Sequence, residues 1–251
     1  MLEVEDALAR ALDGVAPLGT ERVSTSDALG RVCAVDVYAT RPQPPFANSG
    51  MDGYALRTAD LQGDPPFDLA VAGESAAGRR TPLSVGQGEA IRTFTGAPVA
   101  DGADAVVIQE NTEHDGDSVR VLLRPEPGAN IRPRGEDISD GQHLIERGQL
   151  ISPGEIANLL TQGLTELEVF RRPRVHLIST GDELIPPGRA PAFGEITNSS
   201  IPMLAAVARQ CGAIATELAT IRDELELIKA GFEKAAKDTD LLVVTGGMSV
   251  G

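Results

Sequence analysis

The sequence predicts an α/β protein in which a parallel layered sheet unit is joined to an all-β, barrel-like module. Three observations carry that reading. Val175-His176-Leu177-Ile178 opens into Ser179-Thr180-Gly181-Asp182-Glu183-Leu184, and Leu241-Leu242-Val243-Val244 opens into Thr245-Gly246-Gly247-Met248-Ser249-Val250-Gly251. Apolar runs bounded by glycine read as strands buried in a parallel sheet. Helical and extended stretches alternate between the two runs, which implies right-handed parallel connections. Residues 47–138, by contrast, are short β-type runs punctuated by glycine and proline.

Val4, Leu8, Ala11 and Leu12 recur at helical spacing, so residues 3–13 form a short amphipathic helix. A second helical stretch is expected from Ser24 or Ser26, giving way to an extended run at 32–37. Arg41-Pro42-Gln43-Pro44-Pro45-Phe46 then breaks regular structure and marks a boundary. Strands are expected at 67–72, 90–94, 105–111 and 118–124, the last two flanking a turn at His114-Asp115-Gly116-Asp117. From Leu150 the pattern is helical, with Ile156, Leu159, Leu160 and Leu164 on one face. A further helix follows Asn198-Ser199-Ser200 with Pro202 in its first turn. After a strand near 213–221, Asp223 is expected to cap the last helix, with Glu226 completing a box-like pattern.

A chain of 251 residues has ample material for a core, as one large domain or two modest ones. The formal charge of −15 argues against nucleic acid and anionic membranes as partners, but not against an anionic small molecule at a local site. Cys33 and Cys211 form no ligand set and read as two buried thiols. No apolar run approaches the ~18 residues that span a bilayer. The acidic start, Met1-Leu2-Glu3-Val4-Glu5-Asp6, is unlike a secretory signal, so a cytoplasmic location is expected.

Five segments can carry chemistry. Asn48-Ser49-Gly50-Met51-Asp52-Gly53-Tyr54 presents a carboxylate between two glycines, or is an ordinary Asx turn. Thr93-Phe94-Thr95-Gly96-Ala97-Pro98 offers a hydroxyl and amides to an anion, or is a plain barrel corner. Arg132-Pro133-Arg134-Gly135-Glu136-Asp137-Ile138 can bind phosphate and metal, or is a solvated salt-bridge cluster. Thr180-Gly181-Asp182-Glu183 places acids at a strand's carboxyl end, where ligands of parallel sheets bind. Carboxylates there suit Mg²⁺ held against phosphate oxygens. Asp223, after a strand of the same sheet, can point into that crevice or serve as a helix cap. The Thr245-Gly246-Gly247 loop permits close backbone approach and an anion nest, and is neither a P-loop nor a dinucleotide fingerprint.

In this order and spacing, these segments resemble the molybdopterin molybdenumtransferase family, the molybdenum-insertion enzymes of molybdenum cofactor synthesis, to which the C-terminal domain of gephyrin is related. The resemblance runs over essentially the whole chain. It rests on the 48–54 loop, Thr95-Gly96-Ala97-Pro98, Arg134-Gly135-Glu136-Asp137-Ile138, Ser179-Thr180-Gly181-Asp182-Glu183-Leu184, and Thr245-Gly246-Gly247 with Ser249-Val250-Gly251. It implies an elongated, multidomain fold. Residues 1–19 would be a helix packed on the α/β domain, 20–38 with 139–170 a linker domain, 39–138 an inserted β domain, and 171–251 an incomplete molybdopterin-binding α/β domain.

The implied reaction takes adenylyl-molybdopterin and molybdate, releases AMP and leaves molybdenum on the dithiolene, with Mg²⁺ assisting. Catalytic roles carry over to Asp52, Thr95, Asp137, Glu183 and Asp223, and the metal to Asp182 and Glu183. The pterin phosphate would be cradled by Ser179, Thr180, Gly181, Asp182, Asn198, Thr245, Gly246, Gly247 and Ser249. A homodimer is implied, bringing Asp52, Thr95 and Asp137 of one subunit to the crevice of the other, with the molybdopterin adenylyltransferase as a candidate partner. The family pattern continues past the second glycine loop with an acid, lysine- and proline-rich loops associated with molybdate, and a small β domain. None of that is in these 251 residues. The expectation is therefore that this chain is a truncated member with little or no insertase activity, the full-length parent being the enzyme. A molybdopterin adenylyltransferase and a gephyrin-like non-catalytic scaffold are the rival readings. The inserted β module and the Met51-Asp52-Gly53-Tyr54 loop count against the first, and the scarcity of aromatic anchors against the second.

Overall fold

Alternation of apolar and polar residues decides most of the strands, and glycine decides where they stop. The computed structural model describes residues 3–78 and 82–246. From the amino end run α1 (Val4–Leu12), β1 (Thr20–Ser24), β2 (Val37–Tyr38), β3 (Asn48–Ser49), β4 (Gly53–Leu56), β5 (Phe67–Ser75) and β6 (Glu89–Thr93). Next come β7 (Ala105–Ile108), β8 (Thr112–Asp115), β9 (Ser118–Val121), β10 (Ile131–Arg132) and β11 (His143–Ile145). The remainder is α2 (Pro153–Thr161), β12 (Glu166–Phe170), β13 (Arg174–Ser179), β14 (Leu184–Ile185), β15 (Ile196–Thr197), α3 (Ser200–Gln210), β16 (Ile214–Glu217), α4 (Leu225–Ala235) and β17 (Leu241–Thr245). Two compact units result: Tyr38–Leu144 is one, and the residues before and after it form the other.

The unit Tyr38–Leu144 is built on a six-stranded sheet of order β7-β4-β6-β5-β9-β8. Tyr54, Leu56, Phe67, Leu69, Val107, Val119 and Val121 share one core cluster, while Ala55, Ile91 and Val106 join another with Val85 and Ala100. Neighbouring residues of β4 thus enter different clusters, as a period of two requires. Each fully buried leucine or valine of this kind contributes about 1.5–3 kcal/mol relative to exposure. The predicted hairpin is shifted. Its strands are β8 and β9, joined at Gly116-Asp117, because 105–111 divides into β7 and a single 3₁₀ turn at Gln109–Asn111.

In the other unit, β13 lies between β16 and β17, parallel to both. Val175 and Leu177 of β13 pack on Ile201 and Ala205 of α3. On β13's intervening position, His176 Nδ1 is 2.8 Å from the Ala235 carbonyl at the end of α4. α2 begins where Ser152 accepts the Gly154 amide and Glu155 accepts the Ser152 amide, a complete capping box with Pro153 inside the first turn. α1 keeps its amphipathic spacing and buries none of its residues.

Three local expectations are corrected. The helix expected from Ser24 or Ser26 is reduced to one 3₁₀ turn, Thr25–Asp27, directly after β1, which pairs antiparallel with β12. Thr25 is drawn inward by bonds from its amide to the Thr165 carbonyl and from its hydroxyl to the Leu164 carbonyl. Asp223 does not cap α4: Glu224 holds the cap position without a side-chain bond, and the Asp223 amide turns instead to Asp182 Oδ1 at 3.4 Å. Of the two thiols only Cys33 is buried; Cys211 is exposed at the end of α3. No helix among the described residues is long and apolar enough to cross a membrane.

Candidate active site

In a parallel sheet the carboxyl ends of all strands share one edge, and the loops there are free to bind. Three segments converge on that edge. β13 and β17 end in register at Ser179 and Thr245. Beyond them the Thr180 amide donates to the Thr245 carbonyl (3.0 Å), the Gly181 amide to the Ile221 carbonyl (3.2 Å), and the Ile221 amide to the Ser179 carbonyl (2.8 Å). The strand expected at 213–221 stops at Glu217, but this bonding carries residues 220–223 to the same place.

Glycine is required at two points of this edge. A Cβ on Gly246 would stand 2.5 Å from Thr180 Oγ1 and 2.7 Å from the Thr180 carbonyl oxygen. One on Gly181 would stand 2.6 Å from Glu183 Oε2. Both residues also have positive φ, +119° and +143°. The two loops therefore touch backbone to side chain, and the Glu183 carboxylate folds back over its own turn. With the Thr180 and Gly181 amides committed to carbonyls, what this turn offers a ligand is the Thr180 hydroxyl and the acids.

Beneath the loops lies a buried polar knot. Asn198 Nδ2 donates to Ser179 Oγ (2.8 Å) and Thr220 Oγ1 (3.2 Å), the two hydroxyls are 2.9 Å apart, and Asn198 Oδ1 accepts the Ile201 amide at 3.4 Å. Ser179 is fully buried and Asn198 nearly so. Both act here as fasteners, tying β13 to the first turn of α3 and to Thr220. Thr220 was not singled out from sequence; a lone hydroxyl 41 residues from its partner leaves no local pattern.

The acids sit above. Asp182 Oδ1 is 3.5 Å from Arg222 Nε, and Arg222 also reaches Glu224 at 3.4 Å. All three side chains are more than half exposed, so these pairs are weak and open to exchange with a ligand. Arg222 too escaped the sequence reading, being one arginine in an acidic run. No three His, Cys, Asp or Glu side chains converge as a metal cage among the described residues. Adjacent in sequence at this edge, Asp182 and Glu183 are oxygen donors of the type Mg²⁺ takes, with waters completing its shell.

The other predicted residues belong to the unit Tyr38–Leu144. Asp52 Oδ1 accepts both the Thr95 amide and the Thr95 hydroxyl, each at 2.8 Å. Those two bonds, aided by Arg92, hold the Asp52 carboxyl below the usual range. Asp137 Oδ1 is held by Arg132 at 2.5 Å, and Glu136 by the same guanidinium at 2.7 Å. Arg132 lies on β10, paired with Asn48 of β3, so the 48–54 loop and the 132–138 turn share a support. The sequence pairs brought into contact are thus Asp52 with Thr95, and Asp137 with Arg132. Gly247 and Ser249 lie outside the described residues.

Loops converging on the carboxyl edge of a parallel sheet, in a chain that also carries a six-stranded unit, define an α/β ligand-binding architecture. Residues 176–251 match the family model described as a probable molybdopterin binding domain. Residues 2–163 match the model of the MoeA N-terminal region, domains I and II, and the chain belongs to that family. A molybdopterin molybdenumtransferase 2 of Mycobacterium tuberculosis is 40% identical over 91% of this chain, and a molybdopterin molybdenumtransferase of Haemophilus influenzae 34% identical over all of it. The chain spans 57% and 62% of those two proteins' lengths. A crystal structure of the molybdopterin biosynthesis moeA protein from Pyrococcus horikoshii superposes with a TM-score of 0.90 at 32% identity, covering 98% of this chain and 67% of that one.

Proposed function

We propose that this chain belongs to an enzyme that transfers molybdenum from molybdate to adenylyl-molybdopterin with release of AMP, an activity expected of the full family length rather than of these 251 residues alone. One observation carries the reading. Thr180–Glu183, Thr220–Asp223 and Thr245-Gly246 meet at one sheet edge, inside the segment that matches a molybdopterin-binding model. In this reading the Thr180 hydroxyl and the Thr245-Gly246 turn hold the pterin phosphate, extended by Gly247 and Ser249. Ser179 and Asn198 keep that surface in place. Asp182 and Glu183 would hold Mg²⁺, which when bound supplies positive charge to the phosphoanhydride oxygens. Glu183 must leave its position over Gly181 to do so, an exchange its exposure permits. Asp223 adds a third acid at the rim.

Asp52, its charge fixed by Thr95, and Asp137, held by Arg132, would enter from the partner subunit of a homodimer and orient the reacting groups. The division into 1–19, 20–38 with 139–170, 39–138 and 171–251, a cytoplasmic location, and association with the adenylyltransferase that supplies the substrate belong to the same proposal. The test is AMP release from adenylyl-molybdopterin by the enzyme at its full family length, followed chromatographically with and without molybdate. Molybdate-dependent release that falls at least a hundredfold in Asp52→Asn and Glu183→Gln agrees with it. Release that ignores molybdate contradicts it.

A further inference from the structure

The unit Tyr38–Leu144 carries an open hollow of its own. Tyr54, Arg92 and Glu74 are register partners across β4, β6 and β5. With Phe94 and His114 they line an open hollow of about 510 Å³. Arg92 Cζ stands 4.9 Å from the Tyr54 ring centroid and 5.3 Å from that of Phe94. The His114 ring lies 6.2 Å from Tyr54, within 30° of parallel.

Rings and a guanidinium in this arrangement fix each other's orientation without neutralising the charge. Arg92 Nη2 donates to a neutral acceptor, Gln109 Oε1, at 3.0 Å, and Arg92 makes no ion pair among the described residues. Asp52 is within its field but forms no direct contact with it among the described residues, its Oδ1 accepting from Thr95. An arginine has five N–H donors, so most of the fork remains to bind an oxyanion. The hollow is too large and too aromatic for an inorganic anion alone. The exposed imidazole and the Phe94 ring supply stacking surface for a heterocycle.

We propose that this hollow binds a nucleoside monophosphate, the base against His114 and Phe94 and the phosphate on Arg92. The site does not depend on the crevice chemistry, and a folded protein without transferase activity would still have it. The experiment is calorimetric titration of the protein with AMP, with adenosine and inorganic phosphate as separate arms. Arg92→Gln, His114→Ala and Glu183→Gln are compared, each checked for folding by circular dichroism. The expected result is AMP binding weakened about tenfold or more by Arg92→Gln and several-fold by His114→Ala, unchanged by Glu183→Gln, and tighter than either separate arm. His114 is exposed on a hairpin, so its variant tests the site even if Arg92→Gln fails to fold. AMP binding that is absent, indifferent to His114 and Arg92, lost with Glu183→Gln, or matched by phosphate alone would overturn the assignment.

Discussion

Gly53 is the position where one added methyl group should do most damage to the inserted unit. It sits at the start of β4, between β6 and β7. A Cβ there would meet the Val107 carbonyl oxygen at 1.9 Å and its carbon at 2.9 Å. Ordinary contact begins near 3.4 Å, so the shortfall is about 1.5 Å, and the obstacle is backbone in a paired strand rather than a yielding side-chain tip. Relief requires β7 to separate from β4, stretching the ladder from Gly53–Ile108 to Leu56–Ala105 and the bond from the Gln109 amide to the Asp52 carbonyl. Overpacking of a tight site costs about 1–3 kcal/mol and sometimes more, and an obstacle made of backbone places Gly53→Ala at about 3 kcal/mol. Gly50→Ala, three residues away, would find its nearest atom at 3.5 Å and should stay within about 0.5 kcal/mol of wild type. The chain has no tryptophan, and both its tyrosines, Tyr38 and Tyr54, belong to this unit. Urea unfolding followed by tyrosine fluorescence therefore reads this unit's transition. A Gly53→Ala midpoint equal to wild type, or a Gly50→Ala loss as large, would refute the packing argument.

Three further outcomes are expected. Asn198→Ala should cost about 1–3 kcal/mol in urea unfolding followed by circular dichroism, because Ser179 and Thr220 lose their buried donor. Asp240 is held well below its ordinary carboxyl value of 3.8 by a two-pronged bond from Arg171 and one from the Arg174 amide. A depressed folded value means the stabilisation is complete above the ordinary value and is lost as pH falls below it. Acid unfolding curves of wild type and Asp240→Asn should thus differ at neutral pH, with the difference shrinking progressively as pH falls from about 4 into the strongly acidic range. Under a thiol reagent at pH 8, Cys211 should react rapidly and Cys33 slowly. Cys33 is buried and desolvation raises its thiol pKa, so mass spectrometry should find single labelling first.

The parallel sheet was legible because β13 and β17 are continuous apolar runs closed by glycine, a signal that needs no distant partner. The crevice acids were legible for the same reason: Asp182 and Glu183 follow a strand directly. Most of what escaped depends on contacts far apart in sequence. The stretch from Ser24 has local helical promise, but Thr25 is tied to the Leu164 and Thr165 carbonyls about 140 residues later and only one 3₁₀ turn forms. Asp223 has the chemistry of a cap, yet α4 starts one residue later than that requires, leaving Glu224 at the cap position. The Asn198–Ser179–Thr220 knot and the stacking of Arg92 on Tyr54 and Phe94 are likewise tertiary facts. Local spacing marks none of these three-dimensional neighbours.

The most direct test of the crevice as the substrate site is calorimetric binding of adenylyl-molybdopterin, with and without Mg²⁺, to the protein and to Glu183→Ala. The account predicts Mg²⁺-dependent binding to wild type that is lost or weakened at least tenfold in the variant. Binding of equal strength in the variant, or indifferent to Mg²⁺, would contradict a metal-assisted site at Thr180–Glu183.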